Sequence, residues 1–171
     1  CNKRYCFLTH SDTMVVHEHF YDFMLEKIND GNKIVGVSMD PQRINAAHMS
    51  GIFTYTNNAK RLNMMPVYDD NGVLILDACD ILTLDCQKNK IRHYICNNTL
   101  NNNELYKKIR KPFKNWGPDC GVDRAVDQKN CVIFLHLGRG TPKSLGLYTN
   151  NTKFDLRKWI EFSETIFSNK N

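Results

Sequence analysis

Gly146-Leu147-Tyr148-Thr149-Asn150-Asn151-Thr152-Lys153-Phe154-Asp155-Leu156-Arg157-Lys158-Trp159-Ile160 is the stretch on which the reading of the fold turns. Leu147 and Thr149 alternate with Gly146 and Tyr148, the period of a half-buried strand. Thr152 with Asp155 three residues on makes a pair resembling a capping box. From there Leu156, Trp159, Ile160, Ser163, Ile166 and Phe167 recur at helical spacing, with Lys153, Arg157, Lys158, Glu161 and Glu164 on the opposite face. The stretch therefore reads as strand, turn and amphipathic helix.

The chain around it has 171 residues, of which 42% are hydrophobic and 24% charged. That suffices for a globular core, either one compact domain or two small fused barrels. The formal charge of +5 permits an acidic partner without requiring one. No apolar run reaches the ~18 residues of a membrane span. The first residue is Cys1 rather than methionine, which reads as a processed or partial chain.

The seven cysteines, Cys1, Cys6, Cys79, Cys86, Cys96, Cys120 and Cys131, contain no CxxC pair, which argues against a zinc ribbon. Their scatter suits long-range disulfides in a secreted protein. Asn97-Asn98-Thr99 and Asn150-Asn151-Thr152 are glycosylation sequons and point the same way. The odd count leaves one thiol free or bonded to another chain.

Along the chain, Ser11-Asp12 reads as a turn and Met14-Val15-Val16 as a strand. Residues 23–28 form a short helical or extended piece ending at the turn Asn29-Asp30-Gly31. Lys33–Val37 and an alternating stretch within Ile44–Tyr55 read as strands. Asp77–Asp85 reads as strand and linker. Gln128-Lys129-Asn130 is a hairpin turn before the strand Val132-Ile133-Phe134-Leu135. His17 and His19 share a strand face as a two-residue metal pair would, but no third ligand stands beside them, so no metal is expected. Lys107, Lys108, Arg110, Lys111 and Lys114 form a basic cluster of the kind that binds sulfated sugars, although a solvated face is the commoner use of such a run.

Three of these segments resemble the trypsin-like (chymotrypsin-fold) serine proteases: the Cys6 to His19 strand-and-histidine segment, Pro66-Val67-Tyr68 followed by Val73-Leu74-Ile75-Leu76, and the terminal Gly-Leu-Tyr-Thr strand with its Trp-Ile helix. The resemblance implies an all-β fold. Two packed antiparallel β-barrels would occupy about residues 1–84 and 85–151, the second trimmed, and a C-terminal α-helix would cover 152–168. It places His19 at the catalytic histidine, Gly72 where the orienting aspartate belongs, and Cys120 at one alignment of the nucleophile. No Gly-Asp-Ser-Gly-Gly string is present. Loss of the aspartate costs roughly 10⁴ in rate, and Pro118 removes an oxyanion donor, a loss of roughly 10²–10³. The same resemblance suggests disulfides Cys1–Cys86 and Cys96–Cys131.

The expectation is thus a secreted, catalytically inactive serine protease homologue without a cofactor. It would act by binding, as a cascade cofactor, a decoy or a structural component. The expected partner is a protein, with a disulfide-linked assembly or a sulfated glycan as further options and no membrane. The competing expectation is a cysteine-dependent hydrolase using Cys120 and His19, with or without Asp70.

Overall fold

The computed structural model describes residues 3–40, 46–61, 63–99, 102–109, 122–137 and 156–168. The chain divides into two compact units. The first comprises Cys1–Ser11 and Tyr21–Asn97, the second Asp12–Phe20 and Asn98–Asn171.

The first unit is built on a four-stranded sheet in the order β1 (Tyr5–Thr9), β6 (Gly51–Tyr55), β3 (Ile34–Gly36), β9 (His93–Ile95). β6 pairs antiparallel with both β1 and β3, while β3 and β9 run parallel. Ile34, Val35 and Gly36 are all buried, as expected of a strand covered on both faces. Gly51 sits where a side chain has no room: an added Cβ would lie 2.7 Å from Val37 Cγ2 and 2.8 Å from Phe7 Cζ. Two short pairs flank the sheet, β4 (Met39–Asp40) with β5 (Ala46–Ala47) and β7 (Val67–Tyr68) with β8 (Leu74–Leu76).

Three helices complete this unit. In α1 (Phe20–Asn29), Phe23, Met24 and Ile28 are buried at spacings of one and four. The buried Lys27 on the same helix is held by its own neighbours. Its Nζ lies 2.6 Å from Glu26 Oε1 and 3.5 Å from Asp30 Oδ2, and over the Phe23 and Tyr94 rings. Helix α2 (Thr56–Ala59) follows β6 directly. In α3 (Asp80–Lys88), Leu82 and Cys86, four residues apart, join Ile34, Ala47, Ile52 and Cys79 in the core. Thr83 Oγ1 donates to the Cys79 carbonyl and accepts from the Ala47 amide, joining helix to strand.

The second unit carries another four-stranded sheet, in the order β10 (Asn97–Asn98), β11 (Asp123–Val126), β12 (Val132–His136), β2 (Thr13–Val15). The turn expected at Gln128–Asn130 is formed. Asp127 Oδ1 accepts from the Lys129 and Cys131 amides, and Asn130 adopts φ 60°. All five β12 residues are buried, and Phe134 stacks on Phe20. Helix α4 (Asn103–Lys108) is capped by Asn102, whose side chain accepts from the Leu105 amide. The C-terminal helix α5 (Leu156–Ser168) exists as the sequence suggests. It packs Trp159 and Phe162 onto Leu105, Leu135 and Leu137, whereas Ile160 is 47% exposed. Among the described side chains of this helix, Trp159 and Phe162, three apart, pack inward, and the expectation of an inward Ile160 is corrected. The strand expected at Gly146–Thr149 lies outside the described residues.

The all-β, two-barrel expectation is overturned: among the described residues the architecture is mixed α/β, with five helices, small sheets and no closed barrel. The physical reason lies in two places. Asp77–Asp85, read as strand and linker, instead enters α3. Ile91–Cys96, inside the 85–151 range expected for the second barrel, supplies β9, which pairs parallel with β3 of the first unit. Parallel neighbours require a long crossover, here one that carries a helix, and an antiparallel barrel has no place for either.

Candidate functional site

Three stretches of the first unit converge on an open groove of about 590 Å³. The turn before β3 brings Gly31, Lys33 and Ile34. Helix α2 brings Asn58, and the segment after it Arg61 and Asn63. The end of α3 and the approach to β9 bring Asp85, Asn89, Lys90 and Arg92, over a floor that includes Leu82, Cys86 and Ile91. Four cations face one carboxylate, so the lining is strongly positive, and the three asparagine amides add neutral donors and acceptors.

The local fold explains how the cations arrive there. Lys33 and Arg92 immediately precede the parallel pair Ile34 and His93, and the Lys33 amide donates to the Arg92 carbonyl at 2.8 Å. Both helices that border the groove close in the same way. At the end of α1 the Asn32 amide reaches back to the Lys27 carbonyl and the Gly31 amide to that of Ile28, with Gly31 at φ 93°. At the end of α3 the Ile91 amide reaches Cys86 and the Lys90 amide reaches Gln87, with Lys90 at φ 54°. Each is a Schellman-type stop, whose left-handed position normally takes glycine. Glycine suits Gly31 because side chains rarely adopt its φ of 93°, and it leaves space beside the Arg92 guanidinium, which would lie 3.1 Å from an added Cβ. At the equivalent position of α3 the chain keeps a lysine.

A non-glycine residue in the left-handed region carries about 1–2 kcal/mol of strain. Lys90→Gly is therefore expected to raise the stability of the first unit by about 1 kcal/mol. Chemical denaturation of the variant checks this; a destabilised variant refutes it.

Burial first, and then the charge of Asp85, push the thiol of Cys86 on the groove floor up, which disfavours its thiolate. Cys79, fully buried behind it, is pushed up to about 12 by burial and by Asp80 and Asp77.

The residues singled out from the sequence lie elsewhere. His19 is exposed on the turn before α1. Its amide donates to His17 Nδ1, and its Nε2 lies 3.8 Å from Glu18. Gly72 occupies the β7–β8 turn at φ 76° with open space around it, and Asp70 is exposed beside it. Cys86 and Cys131, named above for disulfides, carry free thiols in this structure, and Cys96 is buried beside β9. Asn97 is exposed on β10. Lys107 and Lys108 end α4, where Lys107 is paired with Glu104 at 3.0 Å. Cys1, Cys120, Asn150, Arg110, Lys111 and Lys114 lie outside the described residues.

The groove cations were missed because Lys33, Arg61, Lys90 and Arg92 are spread over sixty residues of sequence and each alone looks like a solvated charge. In the second unit His136, 8% exposed, stands between Asp123 (Nδ1 to Oδ2, 3.2 Å) and Asp12 (Nε2 to Oδ2, 3.8 Å). This charge-assisted arrangement links β11, β12 and the turn before β2.

No family model, curated protein or solved structure matches the chain.

Proposed function

We propose that this protein is a non-catalytic binding protein whose first unit takes a small anionic ligand, bearing phosphate or sulfate groups, in the basic groove. The observation that carries the reading is the meeting of Lys33, Arg61, Lys90 and Arg92 around a cavity of about 590 Å³, with Asp85 as the one carboxylate among the described lining residues. Cavities of about 300–1,000 Å³ suit small molecules. Arginine supplies paired donors to phosphate or sulfate oxygens, lysine a mobile point charge. The floor of Ile34, Leu82 and Ile91 offers contact to an apolar part of the ligand.

The binding role drawn from the sequence is retained in this proposal. The degenerate-protease part of it required a two-barrel scaffold, and the mixed α/β architecture takes that support away. A secreted setting, resting on the sequons at Asn97 and Asn150, belongs to the same proposal. The α4 cluster is the weaker anion site, because Lys107 is already paired with Glu104.

Calorimetric titration with pyrophosphate and, separately, with a sulfated disaccharide distinguishes the two ligand sources. Arg92→Ala is expected to weaken the preferred ligand about ten- to a hundredfold, the worth of one or two charge-assisted hydrogen bonds. Asp85→Asn is expected to tighten it, since the repelling carboxylate is gone. If neither anion binds, or if both variants bind as wild type does, the groove is not the site.

A further inference from the structure

The first unit also carries an element with the opposite character to the groove. The β7–β8 hairpin, Met65 to Leu76, carries Met65, Tyr68, Val73, Leu74 and Ile75 at exposures of 43 to 72%. Side chains of consecutive strand residues point to opposite faces. Leu74 and Ile75 are both bare, so neither face of the hairpin is covered. A two-stranded hairpin is marginal in water on its own. This one is pinned at its tip, where Asp69 Oδ1 accepts from the Asn71 amide at 2.9 Å and the Val73 amide at 2.8 Å, and the Asp69 amide donates to the Val73 carbonyl. The turn is thus rigid and the apolar strands project from it. Between Met65 and Leu76 the only charges are Asp69 and Asp70.

Acidic tip and apolar strands are the complement of the groove, which combines Lys33, Arg61, Lys90 and Arg92 with an apolar floor. A contiguous exposed apolar element marks an interaction surface, and opposite charge selects what meets it. Among the described residues, the β7–β8 hairpin of this same chain offers a surface that matches the groove in charge and in apolar content.

We propose that the β7–β8 hairpin of one copy docks into the basic groove of a second copy, with Asp70 facing the groove cations and Val73 and Ile75 lying on its floor. The contact is head-to-tail: each copy offers one hairpin and one groove, so association extends beyond a dimer unless the rotation closes a ring. The proposal rests on the anion-binding reading of the groove and adds its competitor. A bound anionic ligand and a neighbour's hairpin exclude each other, so ligand disassembles the protein and assembly occludes the site.

The test is sedimentation velocity of the full chain over a range of concentrations, with two variants that leave the core alone. Ile75→Lys spoils the hairpin at an exposed position. Arg92→Glu spoils the groove. Wild type is expected to gain mass with concentration and to lose it when pyrophosphate is added. Each variant alone is expected to stay monomeric. An equimolar mixture of the two is expected to form a heterodimer and nothing larger, because only the intact hairpin of one and the intact groove of the other can pair. Ile75→Lys still binds pyrophosphate as wild type does, which separates failure of docking from failure of the anion site. A wild type that is monomeric throughout overturns the proposal. So does Ile75→Lys assembling normally, or a mixture that stays monomeric while wild type assembles. Assembly that survives Arg92→Glu assigns the hairpin to another occupant and overturns it equally.

Discussion

Raising the pH from 9 to 12 is expected to remove about 4 kcal/mol from the stability of the first unit through Cys79 alone, a shift of about three pH units at 1.36 kcal/mol each. The thiol is fully buried in a core of Ile34, Ala47, Ile52, Leu82 and Cys86. It keeps its proton in the folded state up to about pH 12, against an ordinary value of 9.0. In the unfolded chain it ionises freely above 9.0. The folded state then binds the extra proton, so stability is whole below pH 9 and falls as pH rises toward 12. Lys27 acts in the same sense, higher up. Burial pulls its ammonium down, but the hydrogen bond and charge of Glu26, aided by Asp30, outweigh burial and hold it above the ordinary lysine value of 10.5. Its contribution is complete below 10.5 and is lost above it. Guanidinium unfolding at a series of pH values measures both. Cys79→Ala is expected to cost stability near pH 7, through the lost sulfur contacts, and to flatten the curve between pH 9 and 12. An unchanged alkaline slope in that variant would place the effect elsewhere.

Gly51→Ala is expected to cost about 3 kcal/mol, the upper part of the range for overpacking a tight core. The added methyl would come 2.7 Å from Val37 Cγ2, 3.0 Å from Val37 Cγ1 and 2.8 Å from Phe7 Cζ. None of these atoms belongs to a long, flexible side chain that could swing away. Gly51 opens β6, the strand that joins β1 to β3, and its carbonyl accepts from the Val37 amide at 2.9 Å. A shift to relieve the methyl would disturb both pairings. By contrast, Gly72→Ala meets nothing within 4 Å and adds only the strain of its positive φ. Thermal and denaturant unfolding of the two alanine variants separates crowding from backbone strain. Equal losses at the two sites would sink the crowding argument.

Lys90 holds a strained position at the end of α3, where glycine would be more stable, and in doing so adds a cation to the groove lining. Gly31 does the reverse, leaving room for the Arg92 guanidinium across the turn.

Local patterns in the chain determined part of its local structure. The helix Leu156–Ser168, the turn at Gln128–Asn130, the strands around Met14, Ile34 and Val132, and the turn at Asn29–Gly31 follow from period and turn chemistry, which act over a few residues. Short elements were harder. Of the apolar residues in 80–88 only Leu82 and Cys86 are buried, in a run that also reads as a strand, so helix and strand could not be separated by period. Pairing was decided by tertiary structure alone. Whether Ile91–Cys96 opens a new barrel or joins β3 in parallel depends on contacts some sixty residues apart, for which the local pattern carries no information. The resemblance to the protease family rested on short strings of common residue types, and such strings recur in unrelated folds. The groove has the same origin as the sheet. Its four cations are ordinary surface residues in sequence, and the parallel pairing of β3 with β9 and the stop of α3 are what set them side by side.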